Sequence, residues 1–310
     1  MLGWIGNTDF DWYSFLHSLD RLDEVNFWQP SGGRGFHAVP VGAPFFFKLK
    51  RPYYAIAGFG FFAGHSVLPA WLAWDSFTTA NGAPDLPTMR RRIEKYRDVS
   101  PDPHANYQIG CLMVAQPVFF DRPDWIPQPT DWGRQTVQGA RIDLTTGEGR
   151  RIWDACLSRV EAHGIARPAG QSPAADAERF GRERIVRPRL GQGIFRVAVT
   201  DAYQRACAVT TEHSLPVLEA AHIKPYAVGG EHAVANGILL RTDLHRLFDR
   251  GYVTVTPDHR LVVGRRLREE YENGRVYYAM EGSHLAVPRA PADRPDAALL
   301  QWHNEEVFLG

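Results

Sequence analysis

Only three cysteines, Cys111, Cys156 and Cys207, occur in 310 residues. Odd in number and widely spaced, they cannot build a disulfide framework or a four-thiolate zinc ribbon, so reduced, buried thiols are expected. No window supplies the ~20 unbroken apolar residues that a membrane-spanning helix needs. The start of the chain, MLGWIGNTDFDWY, lacks the basic-then-apolar layout of a secretory leader, and a cytoplasmic chain with no membrane partner is expected. Excess charge of either sign is also missing: 35 basic residues balance 35 acidic ones, and residues 1–150 hold 14 and 15 of them. A polyanionic partner must therefore be met by a local patch, because the field of the whole molecule attracts nothing. At 44% hydrophobic and 23% charged, the composition excludes general disorder.

Aromatic residues are abundant but uneven, with seven of nine Trp and thirteen of seventeen Phe in residues 1–150. Two differently built parts are implied, as the length also favours. In the first, short apolar runs such as VNFWQP (25–30), APFFFKLK (43–50), YYAIAGFGFFAG (53–64) and IGCLMVAQPVFF (109–120) are punctuated by Gly and Pro, as in strands of a small sheet or barrel. Helices are expected over 9–22, 87–98 and 149–162. Residues 163–180 are rich in Ala, Pro and Gly and read as a linker between domains at 1–162 and 181–310. Residues 179–196 carry six arginines, among them Arg187, Arg189 and Arg196. They form either a solvated face or a set of phosphate contacts.

From Pro216 to Asp258 the order is strand, loop, strand, helix, with VLEAAHI and GILL as strands and TDLHRLFDR as a helix capped by Thr242 or Asp243. A hairpin turned at Pro257 and Asp258 follows. His222 ends the first strand, Asn236 opens the second, and His245 lies in the helix with Asp249 four residues on. Residues four apart share a helix face, so His245 and Asp249 can bind one cation together. His222 is then free to deprotonate a water that attacks a phosphodiester.

On these residues the chain resembles the HNH endonuclease family, whose ββα-metal fold is a hairpin plus helix gripping one divalent ion. Thirteen residues separate His222 from Asn236, eight separate Asn236 from His245, and three separate His245 from Asp249. The resemblance covers about residues 190–265. It implies that His222 is the general base, that Asn236 orients it and stiffens the loop, and that His245 with Asp249 ligates Mg²⁺ or Mn²⁺. Many members carry a metal ligand immediately before the base, where this chain has Ala221. Strand alternation puts Glu219 on the same side as Ala221, and Glu219 is the expected substitute ligand, direct or through water. His232 is expected to be a loop residue, His303 to pack in a terminal helix with Leu300, Trp302 and Phe308, and Lys224 either to meet the scissile phosphate or to be solvated.

The strand rhythm of residues 20–130 is similar to the PUA superfamily of small β-barrels, which includes EVE, SRA, YTH and ASCH domains. The fold class expected is α+β: a PUA-like barrel with flanking helices joined to a C-terminal ββα-metal nuclease. Chains so built resemble modification-dependent restriction endonucleases, which flip a modified cytosine into the barrel and cut nearby, in phage defence. By that resemblance Trp28, Phe59 or Trp71 would stack on the base and Asn26, Gln29 or Asp75 would read its edge. The partner expected is modified double-stranded DNA, cut by a homodimer because one such site cuts one strand. The alternatives are a non-cleaving reader of modified DNA or RNA, and a nuclease indifferent to modification.

Overall fold

The computed structural model describes residues 1–32, 35–102, 104–133, 135–162 and 190–310. The chain divides into two compact units, Met1–Gly191 and Gln192–Gly310. The expected linker at 163–180, together with Arg187 and Arg189, lies outside the described residues.

Strands of the first unit are β1 (Leu2–Thr8), β2 (Glu24–Gln29), β3 (Pro44–Leu49), β4 (Ala55–Pro69), β5 (Gln108–Phe119), β6 (Ile126–Pro127) and β7 (Gly139–Asp143). Its helices are α1 (Phe10–His17), α2 (Ala70–Phe77), α3 (Leu86–Arg97) and α4 (Gly147–Ala162). The strands form one mixed sheet in the order β2-β5-β4-β3-β1-β7, with β6 on β4, and only β1 and β3 run parallel. The expected closed barrel is not found: among the described residues no pairing joins β2 to β7, and the sheet is open. Register shifts at Phe59/Phe61 and Phe62/Gly64 interrupt the β4–β5 ladder, and bulges of this kind bend a sheet without closing it.

β3 shows why the sheet is so aromatic. All six of its residues are buried. Phe45 and Phe47 enter one apolar cluster with Trp12, Phe27 and Phe62, while Phe46 enters another with Ile56, Phe59 and Trp153. Alternate side chains point to opposite faces, and both faces are covered, so the run is apolar throughout. Each buried Phe contributes roughly 1.5–3 kcal/mol. All three cysteines are buried and none is in a disulfide, as their spacing implies. Helix α1 ends earlier than its apolar spacing suggests, where the Ser18 hydroxyl donates to the Phe15 carbonyl at 2.7 Å and competes with the next turn.

The second unit holds α5 (Gln192–Ala202), the hairpin β8 (Leu218–His222) and β9 (Gly237–Arg241), α6 (Thr242–Asp249), the hairpin β10 (Val253–Val255) and β11 (Leu261–Val263), and α7 (Arg266–Tyr271), α8 (Arg275–Tyr278) and α9 (Ala297–Glu306). One cluster, including Phe195, Val199, Ala221, Ile238, Leu244, Phe248 and Leu300, joins them. The architecture is mixed α+β throughout. No helix of the described residues is long and apolar enough to cross a membrane.

Candidate active site

β8 and β9 pair antiparallel with His222 opposite Gly237 and Glu219 opposite Leu240. Helix α6 follows β9 without a break. Its N-cap is Arg241, with no side-chain cap, rather than Thr242 or Asp243. The Thr242 hydroxyl is turned to the Val217 carbonyl, 3.2 Å away, and the Asp243 carboxylate is held by the Arg241 guanidinium at 3.0 and 2.6 Å. Leu244 and Phe248 form the buried stripe of α6. One step round the helix from them, His245 and Asp249 share the face that meets β8.

The His222 ring lies against Phe195 of α5, with centroids 3.8 Å apart and planes 15° from parallel. Helix α5 reaches this position because Gly237 carries no side chain; a Cβ there would stand 2.5 Å from Val199 Cγ2 and 3.0 Å from the Phe195 ring. Nε2 of His222 lies 3.0 Å from Nδ1 of His232. The His232 ring in turn stacks on Tyr226, 4.7 Å away and within 4° of parallel. Burial pushes the His222 pKa down to about 4, helped by His232 and His245 and opposed by Asp249. His222 is therefore neutral near pH 7 and able to accept a proton.

Asn236 is buried and spends its whole amide on the loop: Oδ1 accepts from the Lys224 N–H at 2.9 Å, and Nδ2 donates to the carbonyls of Lys224 at 2.9 Å and Glu231 at 2.8 Å. No hydrogen bond from its side chain to His222 is found among the described residues. It ties the loop together, and the side chain within hydrogen-bond distance of His222 Nε2 is that of His232.

His245 is flanked by two carboxylates. Glu219 Oε2 lies 2.7 Å from Nδ1, and Asp249 Oδ2 lies 3.3 Å from Nε2. Burial disfavours the imidazolium, but the two carboxylates outweigh it and raise the pKa above the ordinary histidine value. Glu219 thus meets the His245 nitrogen turned away from Asp249. With Nδ1–H given to Glu219, Nε2 presents a lone pair toward a carboxylate oxygen, an arrangement that needs a cation there, either a proton or a metal ion. Two donors about 3 Å apart suit one ion bound at roughly 2.0–2.2 Å by both. A carboxylate behind a ligating imidazole is the usual way such a ring is oriented. Among the described residues no three His, Cys, Asp or Glu side chains are grouped to hold a metal, so water or substrate must complete any coordination shell.

The remaining candidates are dispersed. Lys224 Nζ lies 5.3 Å from the ring centroid of Trp302 in a cation–π contact. Arg196 is half-buried on α5 beside Phe195. His303 is buried and packs on Phe248, as expected, with Leu300 in the same core. In the first unit two of the six proposed base-pocket residues, Asn26 and Trp28, meet at Asn81. Asn26 is fully buried and its amide donates to Asn81 Oδ1 at 2.9 Å, while the Trp28 indole donates to the Asn81 carbonyl at 2.9 Å. Gln29, one residue on, belongs to the opposite face of β2. Phe59 is core, against Phe46 and Trp153. Trp71 is half-buried and Asp75 exposed on α2. What the sequence did not single out is a hollow of about 500 Å³ lined by Phe10, Tyr13, Tyr53 and Trp125, with His17 and Asp121 paired at 3.0 Å on its rim.

A strand–loop–strand–helix unit thus carries a stacked histidine at the end of its first strand and a histidine–aspartate pair in its helix. Residues 207–256 match the model of the HNH endonuclease family, inside the span over which the sequence resembles it. No curated protein matches the chain. Solved structures similar to it include ASCH from Zymomonas mobilis (10% identity, TM-score 0.30, covering 50% of this chain and 94% of that one) and a point mutant of the same protein (10%, 0.31, 48% and 96%). The modification-dependent TagI restriction endonuclease is another, at 12% identity and a TM-score of 0.29 over 93% of this chain and 77% of that one. Scores this low do not define a common fold.

Proposed function

We propose that the protein is a metal-dependent endonuclease that hydrolyses phosphodiester bonds of double-stranded DNA. The observation that carries this reading is the pairing of His245 Nε2 with Asp249 Oδ2 across 3.3 Å, beside a neutral, stacked His222, within a segment that matches the HNH model. His222 takes a proton from water as that water's oxygen forms a bond to phosphorus. The bond broken is the one to a sugar oxygen, which leaves and recovers a proton from solvent. His245 and Asp249 are the residues to hold the ion, Mg²⁺ or Mn²⁺, and Glu219 fixes the His245 ring. The ion supplies positive charge for the phosphate and the leaving oxygen. A neutral base, one buried ring behind it and an amide-tied loop keep this arrangement fixed before substrate arrives.

The finer reading is that cleavage depends on modified cytosine, that it serves defence against phage, and that two copies act together because each site cuts one strand. It is supported by the PUA-like strand rhythm of the first unit and by its wealth of aromatic residues, whose faces can stack on bases. A specific observation favours a second reading, a reader that binds without cutting: Ala221 is fully buried and carries no ligand, and the described residues hold no three-donor group.

Plasmids bearing plain, methylated and hydroxymethylated cytosine, incubated with the protein and Mg²⁺ or Mn²⁺, separate these readings. Nicking confined to a modified plasmid is the expected result. Equal cutting of all three removes modification dependence, and tight binding without nicking supports the reader.

A further inference from the structure

The loop from Ile223 to Ala235 doubles back on itself. Asn236 clamps Lys224 and Glu231, the Gly230 N–H donates to the Pro225 carbonyl at 3.0 Å, and a Cβ on Gly230 would collide with the Lys224 carbonyl. The reversal brings residue 232 beside the end of β8, where its Nδ1 meets Nε2 of His222 at 3.0 Å. A hydrogen bond between two imidazole nitrogens needs one donor and one acceptor, which leaves two arrangements. In one, His232 donates and His222 accepts at Nε2; the proton of neutral His222 then sits on Nδ1, and the ring has no free lone pair. In the other, His222 donates Nε2–H to His232, and Nδ1 of His222 keeps its lone pair. Only the second leaves a base.

We propose that His232 is a positioning residue that holds His222 in the Nε2–H tautomer, so that Nδ1 is the nitrogen that takes the proton from water. The inference rests on the reading of His222 as the base. Tyr226 and Phe195 make the assignment geometric: each ring of the pair is stacked on its own aromatic neighbour, so neither turns away from the other. When Nδ1 gains its proton, the Nε2–H to His232 contact becomes a charge-assisted hydrogen bond, which is stronger than a neutral one. Two imidazolium rings at this distance repel, so the pair carries at most one added proton, with His245 and Asp249 of α6 the other charged groups acting on it. His232 thus takes the orienting role that the family resemblance implies for Asn236. It orients the base, while Asn236 orients the loop that carries His232.

Two variants isolate the acceptor. His232→Phe keeps a ring to stack on Tyr226 and removes Nδ1, whereas His232→Asn returns an acceptor near the same place. On metal-free full-length chain labelled with ¹⁵N-histidine, long-range ¹H–¹⁵N spectra should show His222 protonated at Nε2 alone, and a mixture of tautomers in His232→Phe. With metal and plasmid, His232→Phe should lose about tenfold in kcat, below the 10²–10⁴ of losing a base outright, with KM unchanged and the pH profile displaced. His232→Asn should recover most of that rate. A proton on Nδ1 of His222 in the unaltered chain overturns the proposal, as does a His232→Phe variant with an unchanged tautomer. If the unaltered chain cuts nothing, the nuclease reading fails, while the spectra still decide the role of His232.

Discussion

The Glu219 carboxylate stands 2.7 Å from Nδ1 of His245, on the side of the ring away from Asp249. That contact fixes which nitrogen is protonated and leaves Nε2 as the only nitrogen available to a cation. Glu219→Gln keeps the size of the side chain and removes its charge. Metal affinity should fall about 10- to 100-fold, the usual cost of losing a carboxylate behind a ligating histidine. Calorimetric titration of Mn²⁺ into the metal-free variant reads this directly. Unchanged affinity would remove Glu219 from the site altogether.

His222→Ala deletes the proposed base without touching the α6 pair. Nicking should drop by about 10²–10⁴, the range for loss of a general base. Mn²⁺ affinity should stay near that of the unaltered chain, because His245 and Asp249 remain. A variant that still nicks at full rate would show that water is activated elsewhere; loss of both nicking and metal binding would point to collapse of the β8–β9 hairpin.

The spacing of His222, His245 and Asp249 was legible because it depends on local geometry, a strand end and two residues one helical turn apart. The faces on which the proposed pocket residues lie were also legible in part. On β2, Asn26 and Trp28 alternate with Gln29, so period two alone separates them. His232 was harder, since its arrival at the base depends on the Asn236 clamp and on the close approach at Gly230, neither of which periodicity reports. A Gly-Gly turn between two strands is the signal that such a loop returns toward its start. Barrel closure was out of reach: it turns on whether β2 and β7, over a hundred residues apart in sequence, find each other.

Asn236→Ala should loosen the loop before it affects the core. It strands the Lys224 N–H and two carbonyls, in a buried position, and the cost is about 2–3 kcal/mol given that water can reach part of the loop. Protease nicking between residues 224 and 235 should accelerate, and plasmid cleavage should fall with it. Asn236→Asp keeps one acceptor but sets a carboxylate against two carbonyls, so it should not rescue. Rescue by Asp would mean that only the Lys224 N–H contact matters.

The second unit should lose stability in mild acid, and His303 sets much of the effect. Its ring is 2% exposed, stacked on Phe248 at 3.7 Å, with Nε2 donating to the Phe248 carbonyl at 3.1 Å and Nδ1 facing the Thr254 hydroxyl at 2.8 Å. Burial pushes its pKa down to about 4, against the pull of that carbonyl and of Asp249. A histidine neutral when folded and ordinary when unfolded gives stability that is full above about pH 6.5 and drains away as pH falls toward 4. Each such group costs about 1.4 kcal/mol per pH unit, or roughly 3 kcal/mol across the window. His222 acts in the same direction. His245 acts oppositely, since its raised pKa adds stability below 6.5 that is lost at higher pH, but it is one group against two. Hydrogen exchange at amides of the second unit, followed in urea at several pH values, should show the decline. His303→Phe should reduce the slope by about one proton while lowering stability at neutral pH, because the Phe248 carbonyl loses the Nε2–H while the Thr254 hydroxyl keeps only Asn304 Oδ1. An unchanged slope would mean that the buried ring is not the group that takes up the proton on unfolding.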